Sequence, residues 1–394
     1  MKLFNTCWIV IACVFANVNT LCADDGDPVA IRTWPDGGVT IETMWNLHLG
    51  YRITEANKML LPRPLDLNLY LATVSKPGET VLFGRSPNDD QPSRIEGKPQ
   101  RIDENDIAVS REKSGPFAGS IAVKVNGLTI HILNGVAPEK LTASLPHDSK
   151  ETQPTTDHDA NTVFVAGATF DQAAIQKIAA AFKPRLMIVP PEITQIGSQK
   201  VISFPHNTLA VSAAADKDDS DTVTRFVSLA DEPYEMSDEV SELFEKKETA
   251  CKGSRETFAK LSIEQMNFQP PNGTHTPRWN SEHMMGRELL FFSQIYHAVD
   301  PTIPVMDLNP RQMPDDYKMA HPDWMGAEEA RQTERVEAFT RRFAYLLDGM
   351  PLNRKAKGSK FWTPKALLKQ MERHYNEHTA NVEKKMQLDE WPKQ

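Results

Sequence analysis

Residues Thr363 to Gln387 read TPKALLKQMERHYNEHTANVEKKMQ. Thr363 suits an N-cap and Pro364 the first helical position, so the run is expected to open a helix. Apolar residues recur at Leu367, Met371, Val382 and Met386. His374 and His378 fill the two gaps in that stripe, at steps of four, three, four, four and four. Helical spacing therefore turns both rings toward the interior. Two imidazoles buried side by side need a partner, and a metal ion is an economical one, because neutral imidazole is a common metal ligand.

Working outward, three more helices precede this one. Ser237 is an N-cap residue type, and Val240, Phe244, Cys251, Phe258 and Leu261 mark the inner face of the helix that follows. Ser281 to Val299 is broadly apolar. Ala327 to Leu347 carries Val336, Phe339, Phe343 and Leu346 inward, after a Pro-rich connection from Pro301 to Pro322. Four amphipathic helices over residues 237–387 predict a four-helix bundle.

Bundles build metal sites from side chains on facing helices. The best third ligand is His283, expected in the first turn of the second helix, in the run Arg278-Trp279-Asn280-Ser281-Glu282-His283. Three histidines with open positions form the ligand set of a catalytic zinc, nickel or iron site rather than a closed structural one. Glu282, Glu372 and Glu377 are the nearby candidates for a general base, and solvated helix-face charges are the plainer reading of each. Without a metal, the histidines would hydrogen-bond one another, Tyr375 or a backbone carbonyl. His275, His297 and His321 could line the mouth of the bundle. His297 lies fourteen residues beyond His283, four helical turns away.

Arg278-Trp279, Ser281-x-His283 entering a helix, and a later H-x-x-x-H formed by His374 and His378 resemble the DinB/YfiT-like superfamily. The resemblance covers about Ser237 to Met386. It implies a four-helix bundle with a divalent metal on three histidines. Members of that family include thiol-dependent transferases and hydrolases acting on small molecules. The chain departs from the pattern by a longer loop at Asp300 to Met325.

Before residue 215 the signals are mostly strands and turns. Gly38 to Tyr51 alternates as a strand does, and Ile121, Val123 and Val125 lead through Asn126-Gly127 to Leu128, Ile130 and Ile132. Asn-Gly between alternating runs is a strong hairpin signal. Thr162–Ala166, Asp171–Phe182 and Arg185–Val189 read as strand, helix and strand. Two closing strands are expected at Val201–Phe204 and Thr208–Ser212, with loops at Ser86–Asn105 and Leu145–Asn161. This layout is similar to a metallo-β-lactamase-like αββα sandwich. The diagnostic H-x-H-x-D-H run is absent, and Asn134-Gly135-Val136 stands where that family has a Gly-Asp ligand turn. The resemblance therefore implies a scaffold without the hydrolase metals.

The expected fold class is multi-domain, α/β plus all-α. Residues 1–23 read as a signal peptide, 24–213 as the α/β domain, 214–236 as a linker that opens on an acidic, small-residue run, and 237–387 as the bundle. The signal reading rests on Lys2, an apolar run from Leu3 to Val18, and Ala23 before the cleavage point. It makes the protein exported, periplasmic or secreted. Three of the four cysteines fall in that segment, so the mature chain keeps only Cys251 and can form no internal disulfide. No mature segment is long and apolar enough to span a membrane. A net charge of −9 with no basic patch argues against nucleic acid as a partner. No phosphate-binding, dinucleotide or serine-elbow motif is present. Three functions remain open. One is a metal-dependent transferase or hydrolase on a small-molecule substrate. Another is a non-enzymatic binding or interaction protein with a structural or vestigial histidine cluster, and a third is an envelope metal-sequestering protein.

Overall fold

A computed structural model describes residues 27–43, 48–54, 69–76, 79–84, 93–94, 100–102, 105–111, 119–134, 136–143, 161–213, 224–306 and 321–393. The signal segment, the acidic linker run 214–221, the loop at 145–160, and His147 and His158 lie outside them.

Two sheets make up the first half. The first runs β16-β1-β2-β3-β4-β5-β6, with β1 (Val29–Thr33), β2 (Val39–Thr43), β3 (His48–Tyr51), β4 (Leu69–Lys76), β5 (Glu79–Gly84), β6 (Ser93–Arg94) and β16 (Thr208–Val211). The second runs β15-β17-β12-β11-β10-β9-β8-β7. Its strands are β7 (Gln100–Ile102), β8 (Asn105–Arg111), β9 (Ile121–Val125), β10 (Leu128–Ile132), β11 (Thr162–Val165), β12 (Leu186–Val189), β15 (Ile202–Phe204) and β17 (Arg225–Leu229). A small ribbon, β13 (Gln195–Ile196) with β14 (Gln199–Lys200), stands apart.

The two sheets share one core. Val29, Ile31 and Ile41 from the first meet Val123, Ile130, Val163 and Ile188 from the second. Asn126 and Gly127 turn β9 into β10 with φ of 48° and 73°. Two successive positive φ values match the right-handed twist of the flanking strands, the reason Asn-Gly is favoured there. Chain order then changes from hairpins to crossovers, because β11, β12 and β17 pair in parallel. Helix α1 is Pro138–Ala143, and α2 (Gln172–Phe182) makes the β11-to-β12 crossover. Asp171 Oδ1 accepts from Ala174 N at 2.8 Å to cap α2, and Ile175, Ile178 and Phe182 bury against Phe164 and Met187.

The expected single run from Gly38 to Tyr51 is instead two antiparallel strands, with Val39 opposite Tyr51 and Glu42 opposite His48. Both of their faces are buried, Thr40 and Glu42 included. The alternation marks the face toward the second sheet, and the polar face is covered too, by helices. The segment expected as a linker, 214–236, contains β17, which lies between β12 and β15. The two closing strands go to different sheets: β15 pairs β17 and β16 pairs β1. Part of the expected loop at Ser86–Asn105 forms β6 and β7.

The second half is helical: α3 (Asp238–Phe258), α4 (Ile263–Met266), α5 (Pro277–Val299), α6 (Gly326–Arg342), a 3-10 turn (Ala344–Leu347) and α7 (Pro364–Lys385). The four long helices pack in a ring, in the order α3–α7–α5–α6 and back to α3. Their shared core includes Phe244, Leu289, Phe292, Val336, Phe339, Leu367 and Met371. Thr276 and Thr363 cap α5 and α7, accepting from Trp279 N and Ala366 N, and each is followed by a proline at the first helical position. Ser237 is extended but makes no capping bond. The second long helix starts at Pro277, so His283 stands in its second turn rather than its first. The third ends at Arg342 and tightens into the 3-10 turn. Gly326 opens it where a Cβ would collide with the Phe258 carbonyl, so only glycine fits this approach.

The helices cover the outer face of the first sheet, and Ala30 and Ala210 belong to the helical core. A buried ionic cluster crosses that junction. Arg342 Nε donates to Glu42 Oε2 at 3.2 Å, its Nη2 lies 2.8 Å from His48 Nε2, and Arg32 pairs with Glu42 at 3.6 Å. Among the described residues, no helix is long and apolar enough to cross a membrane.

Candidate metal centre

The ring brings α5 against α7 near the end where α5 begins. Asn280 meets His378, while eight residues later on α5 Glu288 meets Tyr375. The contacts step in opposite directions along the two helices, so the helices run antiparallel. His283 is thereby placed between His374 and His378. The ring centroids are 4.9 Å apart for His283 and His374, 5.0 Å for His283 and His378, and 4.5 Å for His374 and His378. One nitrogen from each ring lies within 4.8 Å of the other two, an arrangement that can hold a metal ion. It is the one such histidine, cysteine or carboxylate group among the described residues.

His283 is 7% exposed and His374 9%, and His378 is half-buried. Burial drives the imidazolium form out, and the neighbouring rings and cations add to it. His283 and His374 are lowered to about 3, and His378 to about 4. All three are therefore neutral near pH 7, the ligating form. Asn280 settles one tautomer. Its Nδ2 donates to Thr276 O at 2.7 Å, which leaves Oδ1 facing His378 Nδ1, also at 2.7 Å. An amide oxygen can only accept, so His378 Nδ1 carries the proton and Nε2 is left as the acceptor.

The cluster does not satisfy itself. His283 Nδ1 is buried with no hydrogen-bond partner, and His374 makes no hydrogen bond among the described residues. Tyr375 gives its hydroxyl to Glu288 Oε2 at 2.6 Å instead of to a histidine. Trp279 is sandwiched between His275 (3.9 Å, 18°) and His283 (4.5 Å, 13°), which walls one side of the site with stacked rings.

The carboxylates near the histidines in sequence point elsewhere. Glu282 Oε1 accepts from His321 N at 3.4 Å, Glu377 pairs with Arg373 at 3.7 Å on the surface, and Glu372 lines a groove with Lys246 between α3 and α7. None is ion-paired with a histidine of the cluster. His321 stacks on Trp324, and His297 Nδ1 bonds to Ile303 O, so neither joins the site. Cys251 is fully buried and burial raises its thiol pKa, which makes it inert. Asn134 is structural, with its side chain donating to Gly37 O. A cavity of about 380 Å³ lies between the strand end at Leu209–Val211 and the segment Val299–Thr302 at the end of α5; His206 lines it and none of the three clustered histidines does.

Sequence reasoning missed Asn280, although it sits three residues before His283 and so on the same helical side. Arg287, one turn beyond His283, and Lys385, seven residues beyond His378, were not singled out either; their charges add to the depression of the histidine pKa values.

No family model, no curated protein and no solved structure matches the chain.

Proposed function

We propose that the chain is a metal-binding protein whose three-histidine centre handles a small molecule, as a metal-dependent transferase or hydrolase. The observation that carries this is the unsatisfied cluster itself. Three neutral imidazoles converge, one with a buried Nδ1 lacking any partner and one oriented by an amide. A histidine cluster kept for packing would be expected to spend its nitrogens on hydrogen bonds, because unpaired buried polar atoms are costly. Three nitrogen ligands suit zinc, nickel or iron(II), and leave positions for a substrate. A divalent ion there would supply Lewis acidity. The chain's own residues keep the imidazoles neutral by burial, orient His378 through Asn280, and wall the site with Trp279 and His275.

The ring of four helices and the two-histidine step on its last member support the DinB-like reading of the second half. Two sheets sharing a core, with α2 outside one and the long helices outside the other, support an αββα-like reading of the first, as a scaffold. Export remains our reading of residues 1–23.

The test is metal content. Protein purified without a histidine tag should carry roughly one divalent ion per chain. His283→Ala, His374→Ala and His378→Ala should each reduce occupancy sharply. Metal-free protein, or occupancy indifferent to all three changes, would refute the reading.

A further inference from the structure

Lys385 is 6% exposed, and its Nζ makes a single hydrogen bond, to Asn381 O at 3.1 Å. No carboxylate pairs with it among the described residues. Three other buried cations of the helical half each face a carboxylate: Lys247 faces Glu288 at 2.6 Å, Arg278 faces Glu329 at 2.8 Å, and Arg342 faces Glu42 at 3.2 Å. A lysine this far covered and without a counter-charge is unusual, and folded proteins rarely retain one without a use for it. Burial, with Lys384 beside it, pulls its pKa below the ordinary lysine value.

Its place is informative. Lys385 stands seven residues past His378, two turns along the same face of α7. Arg287 stands one turn past His283 on α5, is 7% exposed, and lies 5.8 Å over the ring of Phe291. Because α5 and α7 are antiparallel, Arg287 falls at the His374 end of the cluster and Lys385 at the His378 end. The three histidines are bracketed by two cations, and none of the three is ion-paired with a carboxylate among the described residues.

We propose that the three-histidine centre takes a small organic oxyanion, a carboxylate or phosphate, with Lys385 and Arg287 as the groups that hold its charge. This rests on the metal reading above, since a divalent ion adds a third positive centre between the two side chains. A guanidinium fork suits a carboxylate or phosphate edge, and an ammonium suits a single oxygen. The combined positive field would draw anions in and repel cations. A neutral or cationic substrate would leave Lys385 uncompensated.

The experiment loads the full chain with Co²⁺, whose visible spectrum reports ligand changes at the ion. It then titrates inorganic phosphate and acetate, with choline as the cationic control. Phosphate and acetate should change the spectrum saturably, and choline should not. Lys385→Met should weaken phosphate at least about tenfold and should raise the melting temperature of the anion-free protein, because an uncompensated buried charge is gone. A lysine kept only for structure would lower that temperature when removed. Arg287→Lys should keep the charge but weaken acetate, through loss of the fork. A cobalt spectrum that neither anion changes, with a lowered melting temperature for Lys385→Met, overturns this inference and leaves the metal centre standing. Failure to take up Co²⁺ overturns both.

Discussion

Removing the Glu288 carboxylate tests how the helical core holds the histidine cluster in place. Glu288 is fully buried and faces two partners at once. Lys247 Nζ lies 2.6 Å from one oxygen, and the Tyr375 hydroxyl donates to the other at 2.6 Å. The three residues belong to α3, α5 and α7, so the network ties three of the four long helices, and Tyr375 adjoins His374. Burial alone would lower the Lys247 pKa, but Glu288, Glu337 and Glu248 outweigh it and hold it raised. In Glu288→Ala the ammonium stays buried without its main counter-charge. Breaking a buried pair from one side costs about 3–5 kcal/mol. The Tyr375 hydroxyl, left without an acceptor, adds about 1–3 kcal/mol. The two losses share a cavity and do not add in full, so about 4–6 kcal/mol is expected. Urea unfolding followed by the helical signal at 222 nm gives the value by linear extrapolation. Lys247→Met in the same background should recover most of the loss, leaving about 1–3 kcal/mol for the orphaned hydroxyl. A single-variant cost below about 1 kcal/mol, or no recovery in the double variant, would refute the reasoning.

Other expectations follow from the same geometry. Asn280→Ala frees the His378 tautomer and should weaken metal binding about 10–100-fold with little change in fold, measured by competition with a chelating dye. Acid should destabilise the metal-free protein early. The three histidines are depressed from 6.5 to about 3 or 4, so the unfolded chain binds more protons and stability rises with pH across that window. As pH falls below 6.5, buried His283 and His374 should each cost up to about 1.4 kcal/mol per pH unit, and half-buried His378 less. Urea midpoints that stay level from pH 7 to pH 5 would contradict this. Arg342→Met removes one cation from Glu42 at the sheet–helix junction but leaves Arg32, so a loss near the lower end, about 3 kcal/mol, is expected in thermal or urea unfolding.

The N-terminal half was legible where turn chemistry was strong. Asn126-Gly127 named its hairpin, and the helix read from Asp171 to Phe182 is the crossover helix, with Asp171 itself as its cap. The same reading failed at β2 and β3, because a period-two pattern carries no mark of the reversal between two antiparallel strands, and it is also silent on whether the second face is covered. Here the long helices lie on that other face, so Thr40 and Glu42 are buried as well. β17 escaped notice because five residues after an acidic run carry little periodicity, and their strand state comes from pairing with β12 and β15.

The histidine step on α7 was determined by the sequence alone, since a spacing of four and an apolar stripe settle which face the rings share. The sequence also nominated His283 and the four long helices after Ser237. Only the tertiary structure decided that the three rings meet, because that depends on the antiparallel docking of α5 on α7. It also decided that Asn280 orients one ring and that Tyr375 turns away to Glu288. Burial of Lys385 without a counter-charge was beyond the sequence for the same reason. A local pattern specifies the face of a helix, and the partners on that face come from whichever helix packs against it.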